Sequence, residues 1–253
     1  MNYKLIVQYD GTEFHGWQMQ EPLRTVQGEL SRAVSLLDGR AVAVHGAGRT
    51  DAGVHAEGQT AHVHLRREMT PERWRGAING NIARDVRVIR IQPVPEDFHA
   101  RFSARGKTYL YRIFNAPFQS PFLARYALHE ARALDVELMR VCARKFLGEH
   151  NWTAFSCAQA DVTSRVRTLS QLDMRECWSE TGQGRLIELT VSADGFLRYM
   201  VRSIAGTLLE VGRGAMEVQT VERAIATGER YLVGATAPAH GLTLRRVHYS
   251  DSE

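Results

Sequence analysis

Ala41–Leu65 reads AVAVHGAGRTDAGVHAEGQTAHVHL. Its ends, Ala41–His45 and Gln59–Leu65, carry the short-period apolar pattern of strands, and between them lies a turn holding Gly46, Gly48 and Gly53. Outward from this pair the period changes to that of helices. Thr25–Leu37 sets Val26, Leu30, Ala33, Val34 and Leu37 on one face behind a threonine cap. Thr70–Pro71 opens a second helix, expected to run to about Asn79, with threonine at the cap and proline at the first helical position. Tyr3–Tyr9 and Val86–Gln92 alternate as strands. The first half therefore predicts the order β-α-β-β-α-β.

The second half repeats that order without repeating the sequence. Lys107–Asn115 is a predicted strand and Asp135–Leu147 a helix, with Leu138, Met139, Val141, Cys142 and Phe146 as its apolar face. Leu169–Glu176 and Leu186–Ser192 are predicted strands. Phe196–Val211 is a strongly apolar helix, Thr220–Thr227 a shorter one, and Leu242–Tyr249 a closing strand. The expected architecture is α+β: two ferredoxin-like halves with mostly antiparallel sheets, joined around a central cleft. The halves are expected at 1–104 and 105–253, the boundary falling in Phe98–Lys107, and a cleft between them is a favoured place for a site.

Composition narrows the class. A chain of 253 residues, 44% of them hydrophobic, has enough apolar material for one large core or two small ones. Cys142, Cys157 and Cys177 form no C-x-x-C pair, so a zinc ribbon is not indicated and a reducing compartment fits. The N-terminal MNYKLIVQYD has no signal-peptide pattern, and no apolar run reaches membrane-spanning length; a soluble, cytoplasmic protein is expected. Net charge is +4, and of the 32 basic residues only Lys4, Lys107 and Lys145 are lysines. Arginine suits bidentate phosphate contacts and stacking on bases, although codon bias or a thermostable lineage also yields such a balance.

The chemistry concentrates in Gly46–His55, GAGRTDAGVH. It is not a dinucleotide loop, because Asp51 stands at the third glycine position, and no Gly-Lys-Ser/Thr makes it a P-loop. A carboxylate on a glycine turn beside Arg49 stays ionised and can act as nucleophile or general base. An aspartate in a turn also serves simply to cap a helix or bond its own backbone. His62 and His64 alternate on a strand, but no third ligand stands at a telling spacing, so no metal is expected. The Asp51–His55 pair suggests a hydrolase dyad only weakly, without Gly-x-Ser-x-Gly.

Six segments, the Asp51 loop among them, carry a resemblance that covers nearly the whole chain. Tyr9–Gln18 (YDGTEFHGWQ), Thr25–Gly28 (TVQG), Gly48–His55 (GRTDAGVH), Phe98–Ala104 (FHARFSA) with Lys107–Tyr111 (KTYLY), Phe196–Arg202 (FLRYMVR), and Gly206–Gly212 with Ala237–Leu242 occur in order. Together they resemble the signatures of the TruA-type tRNA pseudouridine synthases. Asn151–Phe155 (NWTAF) departs from the family's usual residues there, which touches only local packing.

The resemblance implies conversion of uridine to pseudouridine at tRNA positions 38, 39 and 40, in the anticodon stem-loop, by homodimers and without cofactor, metal or energy source. It makes Asp51 the essential carboxylate, attacking ribose C1′, attacking base C6, or abstracting a ribose proton; these routes stay open. It gives Arg49 the space vacated by a flipped base, Tyr109 the stacking face for the target uracil, and Arg202 the pairing with the catalytic aspartate. Lys107 is expected at a phosphate, and Tyr111, at strand spacing from Tyr109, in the core. Arg202, on an apolar helix, requires a partner or a route to solvent along the helix face. Two other functions stay in view: a non-catalytic RNA-binding module and a carboxylate-dependent hydrolase of small nucleosides.

Overall fold

The computed structural model describes residues 1–157, 163–178 and 184–250. In chain order the elements are β1 (Asn2–Tyr9), α1 (Val26–Asp38), β2 (His45–Gly46), β3 (His55–His64), α2 (Pro71–Gly80), β4 (Val86–Val94), β5 (Gly106–Asn115), β6 (Leu128–Glu130), α3 (Val136–Ala143), β7 (Gly148–Asn151), β8 (Val166–Trp178), β9 (Arg185–Ala193), α4 (Met200–Gly212), α5 (Val218–Thr227) and β10 (Leu242–His248). The architecture is α+β with mostly antiparallel pairing. The chain divides into two compact units: Met1–Arg105 together with the stretch from Thr243 onward, and Gly106–Leu242.

In the first unit β1 lies between β3 and β4, antiparallel to both, and β2 pairs with β3. β10 joins β3 in parallel, Thr243 opposite His55 and Leu244 opposite Ala56. The closing strand thus groups with the first unit, where the order of elements predicts it in the second. A parallel partner far away in sequence leaves no local signal. The helices start as their caps predict: Thr25 Oγ1 accepts from Gly28 N and Thr70 Oγ1 from Arg73 N. Val26, Leu30, Ala33 and Val34 of α1 and Trp74 and Ile78 of α2 are buried, as are Leu5 and Val7 of β1. The predicted strand Ala41–His45 is reduced to His45–Gly46. Val42 and Val44 are buried, but Val42 N bonds the Ser35 hydroxyl instead of a ladder.

In the second unit β9 lies between β5 and β8, antiparallel to both; β7 pairs with β8, and β6 runs parallel to β5. Every residue of α4 is buried except Arg202 and Glu210, so burial on all sides, not an amphipathic stripe, sets its composition. The helix begins at Met200, not at the predicted Phe196. Tyr199 adopts φ 69°, a left-handed conformation that an α-helix cannot continue through. α3 ends at Ala143 and tightens into a 3-10 turn over Arg144–Phe146. β6 and β7 are three and four residues long and partly polar, too short for periodicity to reveal.

Candidate active site

The Asp51 loop is held by its backbone. Ala47 N donates to Thr60 O (2.7 Å) and Gln59 Nε2 to Gly48 O (3.0 Å), which anchors the entry. Trp17 N donates to Thr50 O at 3.1 Å, and Thr50 Oγ1 meets Tyr9 Oη at 2.8 Å. Burial pushes the Tyr9 phenol up to about 12. Val54 N closes a turn onto Asp51 O (3.1 Å), with Gly53 at φ 78°. Gly16, at φ 86°, lets the preceding segment press against the loop: a Cβ there would lie 2.6 Å from Thr50 O. Asp51 is half-buried on this turn and Arg49 is exposed.

The segment that grips the loop is braced in turn. Gly11 N donates to His55 Nδ1 at 3.0 Å. The Arg24 guanidinium lies 4.1 Å from the Phe14 ring centre and forms a two-pronged bridge to Asp85, 2.7 and 2.8 Å, with Glu29 at 3.1 Å. The Arg24 hydrogen bonds hold the Asp85 carboxyl below the usual carboxylate range. Phe14 and Trp17 are buried, Trp17 against Gly46. Sequence reasoning assigned no roles to Tyr9, Trp17, Arg24 and Asp85. Tyr9 and Trp17 sit within the Tyr9–Gln18 motif; Asp85 carries no sequence signal.

In the second unit, Lys107, Tyr109 and Tyr111 open β5, facing Ala193, Val191 and Leu189 across the ladder. Tyr109 is 7% exposed and meets the Phe196 ring edge-on at 5.0 Å. Tyr111 is fully buried, its hydroxyl donating to Pro238 O (2.9 Å), and burial raises its pKa. Lys107 is half-buried. Arg202 is half-buried on α4. Its Nε donates to Ala237 O (2.7 Å) while Ala237 N donates to Arg202 O (3.0 Å), and its guanidinium lies 5.1 Å from the Tyr199 ring centre. The arginine that looked anomalous on an apolar helix is tied to a facing segment rather than led along the helix to water. Of the predicted residues, Arg49 and Asp51 belong to the first unit, and Lys107, Tyr109 and Arg202 to the second.

His62 and His64 do not stand alone. The His62 ring lies 4.9 Å from His45, 4.5 Å from His99 and 5.8 Å from His64. Its Nδ1 accepts from Ala100 N, and burial with its histidine neighbours lowers its pKa to about 4. Among the described residues no group of three or more His, Cys, Asp or Glu is placed to hold a metal ion. Nor is any described helix long and apolar enough to cross a membrane.

The family model described as tRNA pseudouridine synthase matches residues 5–103 and 142–250. The tRNA pseudouridine synthase A of Geobacillus sp. (strain WCH70) is 40% identical over 249 residues, 98% of each chain. That of Allorhizobium ampelinum is 42% identical over 98% of this chain and 94% of its own. That of Streptococcus mutans is 37% identical over 99% of this chain and all of its own.

Proposed function

The chain belongs to the tRNA pseudouridine synthase family, and from that premise we propose that it isomerises uridine to pseudouridine at positions 38, 39 and 40 of the tRNA anticodon stem-loop, with Asp51 as the essential carboxylate. The reaction breaks the N1–C1′ bond, turns the base, and forms the C5–C1′ bond; the proton leaving C5 is balanced by one gained at N1. The product is an isomer, so no redox partner enters. A base within a stem must leave the stack to be reached. Arg49, exposed two residues before Asp51, then occupies the vacated space. Tyr109 offers a ring to the uracil, a contact of about 1–3 kcal/mol. Arg202 supplies positive charge to the reacting site and Lys107 meets a phosphate. The enzyme works as a homodimer in the cytoplasm.

The observation that carries this reading is the Asp51 loop. A half-buried carboxylate sits on a turn whose neighbours are tied at Ala47, Gly48, Thr50 and Val54, so its position is set before substrate arrives. The test is to incubate the purified protein with an unmodified tRNA transcript and map pseudouridine by nucleotide. Product at 38–40 from wild type, and a loss of roughly 10³-fold or more in Asp51→Asn with tRNA affinity retained, are expected. Wild-type turnover by Asp51→Asn, or release of free uracil, overturns the assignment.

A further inference from the structure

We infer that the second unit carries a phosphate-binding pocket that holds a backbone phosphodiester of the RNA; this rests on the tRNA-modifying reading. The pocket, about 520 Å³, is lined by Arg165, Arg230, Thr153, Ser156, Ser203 and Thr236, with Tyr199 beside them. Its volume is that of a site for a small ligand or one nucleotide unit. Among the described residues, none of its lining side chains is acidic. Two guanidiniums facing one pocket supply the charged N–H donors that suit a phosphate.

The cations are set in place. Arg230 Nη1 donates to Val233 O (3.2 Å) and Gly234 O (3.1 Å), and its Nη2 to Thr236 Oγ1 (3.2 Å). These partners are neutral, so they orient the fork without cancelling its charge. Arg165 Nη1 donates to Ser156 Oγ (2.7 Å) and Cys157 O (3.0 Å), two further lining residues. Tyr199 is the one non-glycine residue at positive φ among the described residues. Its ring lies 4.9 Å from Arg198 and 5.1 Å from Arg202. Strain of this kind gathers at functional sites.

The pocket also shares its walls with the anchors of Arg202. Ser203 follows Arg202 on α4, and Thr236 precedes Ala237, whose carbonyl accepts from Arg202 Nε. A phosphate seated here sets the register of the RNA against that arginine. The competing account makes both arginines mere ties for the chain at 156–157 and 233–236. The two accounts differ in what lysine restores and in how affinity depends on salt.

The experiment measures tRNA binding over a salt series, and KM and kcat for pseudouridine formation, in full-length wild type, Arg230→Gln, Arg230→Lys, Arg165→Gln and Thr153→Glu. Thr153 is exposed, so its glutamate adds negative charge at the pocket mouth while leaving both arginine networks intact. Either glutamine and the glutamate are expected to raise KM roughly tenfold, more than they lower kcat. The slope of log affinity against log salt should become shallower by about 0.7–0.9 in the glutamine variants, and Arg230→Lys should restore it. An unchanged salt slope in both glutamine variants, or no rescue by lysine with a lowered thermal midpoint, makes the arginines structural and overturns the pocket. Titration with inorganic phosphate is the second arm. Phosphate that binds wild type without competing with tRNA assigns the pocket to a free anion and also overturns the proposal. A wild type that binds tRNA but forms no pseudouridine sinks the functional reading instead, and the salt slopes still decide the pocket.

Discussion

Gly16→Ala tests whether backbone pressure from the first turn positions Asp51. A Cβ at Gly16 would lie 2.6 Å from Thr50 O and 3.2 Å from both Ala52 N and the Asp51 carbonyl carbon. The shortest of these falls about 0.8 Å short of ordinary contact, which begins at 3.4 Å. The atoms met are backbone, so the loop itself must move. Two costs combine: about 1 kcal/mol for placing alanine at φ 86°, and about 1–3 kcal/mol for the overlap. Gly39→Ala isolates the first cost, because Gly39 has φ 71° at the end of α1 and nothing within 4 Å of its would-be Cβ. The expected losses are roughly 2–4 kcal/mol at Gly16 and about 1 kcal/mol at Gly39. For a chain of this size they correspond to thermal midpoints lower by roughly 5–15 °C and about 2–4 °C. A loop displaced by nearly 1 Å costs on the order of 10² in kcat, whereas Gly39→Ala keeps its activity. Tryptophan emission during heating and mapped pseudouridine formation below the transition give both numbers. A folded Gly16→Ala protein with unchanged kcat, or one no less stable than Gly39→Ala, refutes the reasoning.

Arg24→Lys keeps the charge but loses the two-pronged bridge to Asp85 and the stacking on Phe14, and should cost about 1–3 kcal/mol in urea unfolding. Because the folded-state pKa of Asp85 is lowered, wild type should hold this stability above the ordinary aspartate range and lose it as pH falls through the folded value; Arg24→Lys should show a weaker acid dependence. Burial alone would raise Glu130, but hydrogen bonds from Arg132 and Arg213 prevail and bring it to about 2. Its contribution is therefore complete above the ordinary glutamate range and declines toward pH 2, and Glu130→Gln should flatten acid unfolding in that window while lowering neutral stability by roughly 1–3 kcal/mol. Thr207→Val removes a buried hydroxyl that donates to Ser203 O and accepts from Gly234 N; about 1–3 kcal/mol should be lost, and kcat should fall through the segment that anchors Arg202.

What the sequence disclosed depended on whether the signal was local. Thr25 and Thr70 cap α1 and α2 as read, because a hydroxyl reaching a backbone N–H three residues on is a short-range event. The Asp51 turn stood out through its glycines, and the Tyr109–Tyr111 spacing through strand period. Tyr199 escaped notice because Phe196–Met200 continues the apolar run of α4, and only the folded backbone reveals the left-handed break. The strand predicted at Ala41–His45 alternates correctly, yet its valines found a core without a ladder. Arg165 and Arg230 lie far apart in sequence among many arginines, and only folding brings them to one pocket.

The two units place their chemistry by the same means. In the first, Trp17 N bonds Thr50 O across a contact that Gly16 permits, and Asp51 follows on that strand of chain. In the second, Arg202 and Ala237 exchange backbone and side-chain bonds where Gly206 lets α4 approach its neighbour; a Cβ at Gly206 would lie 1.7 Å from Ala235 O. In both, the charged side chain is positioned from the backbone outward, by carbonyl and amide partners that neither titrate nor rotate. A carboxylate or guanidinium on a backbone held in this way keeps its place. The glycine contacts should therefore tolerate substitution less than the exposed arginines around them. Changes at Gly16 or Gly206 alter where the charge sits.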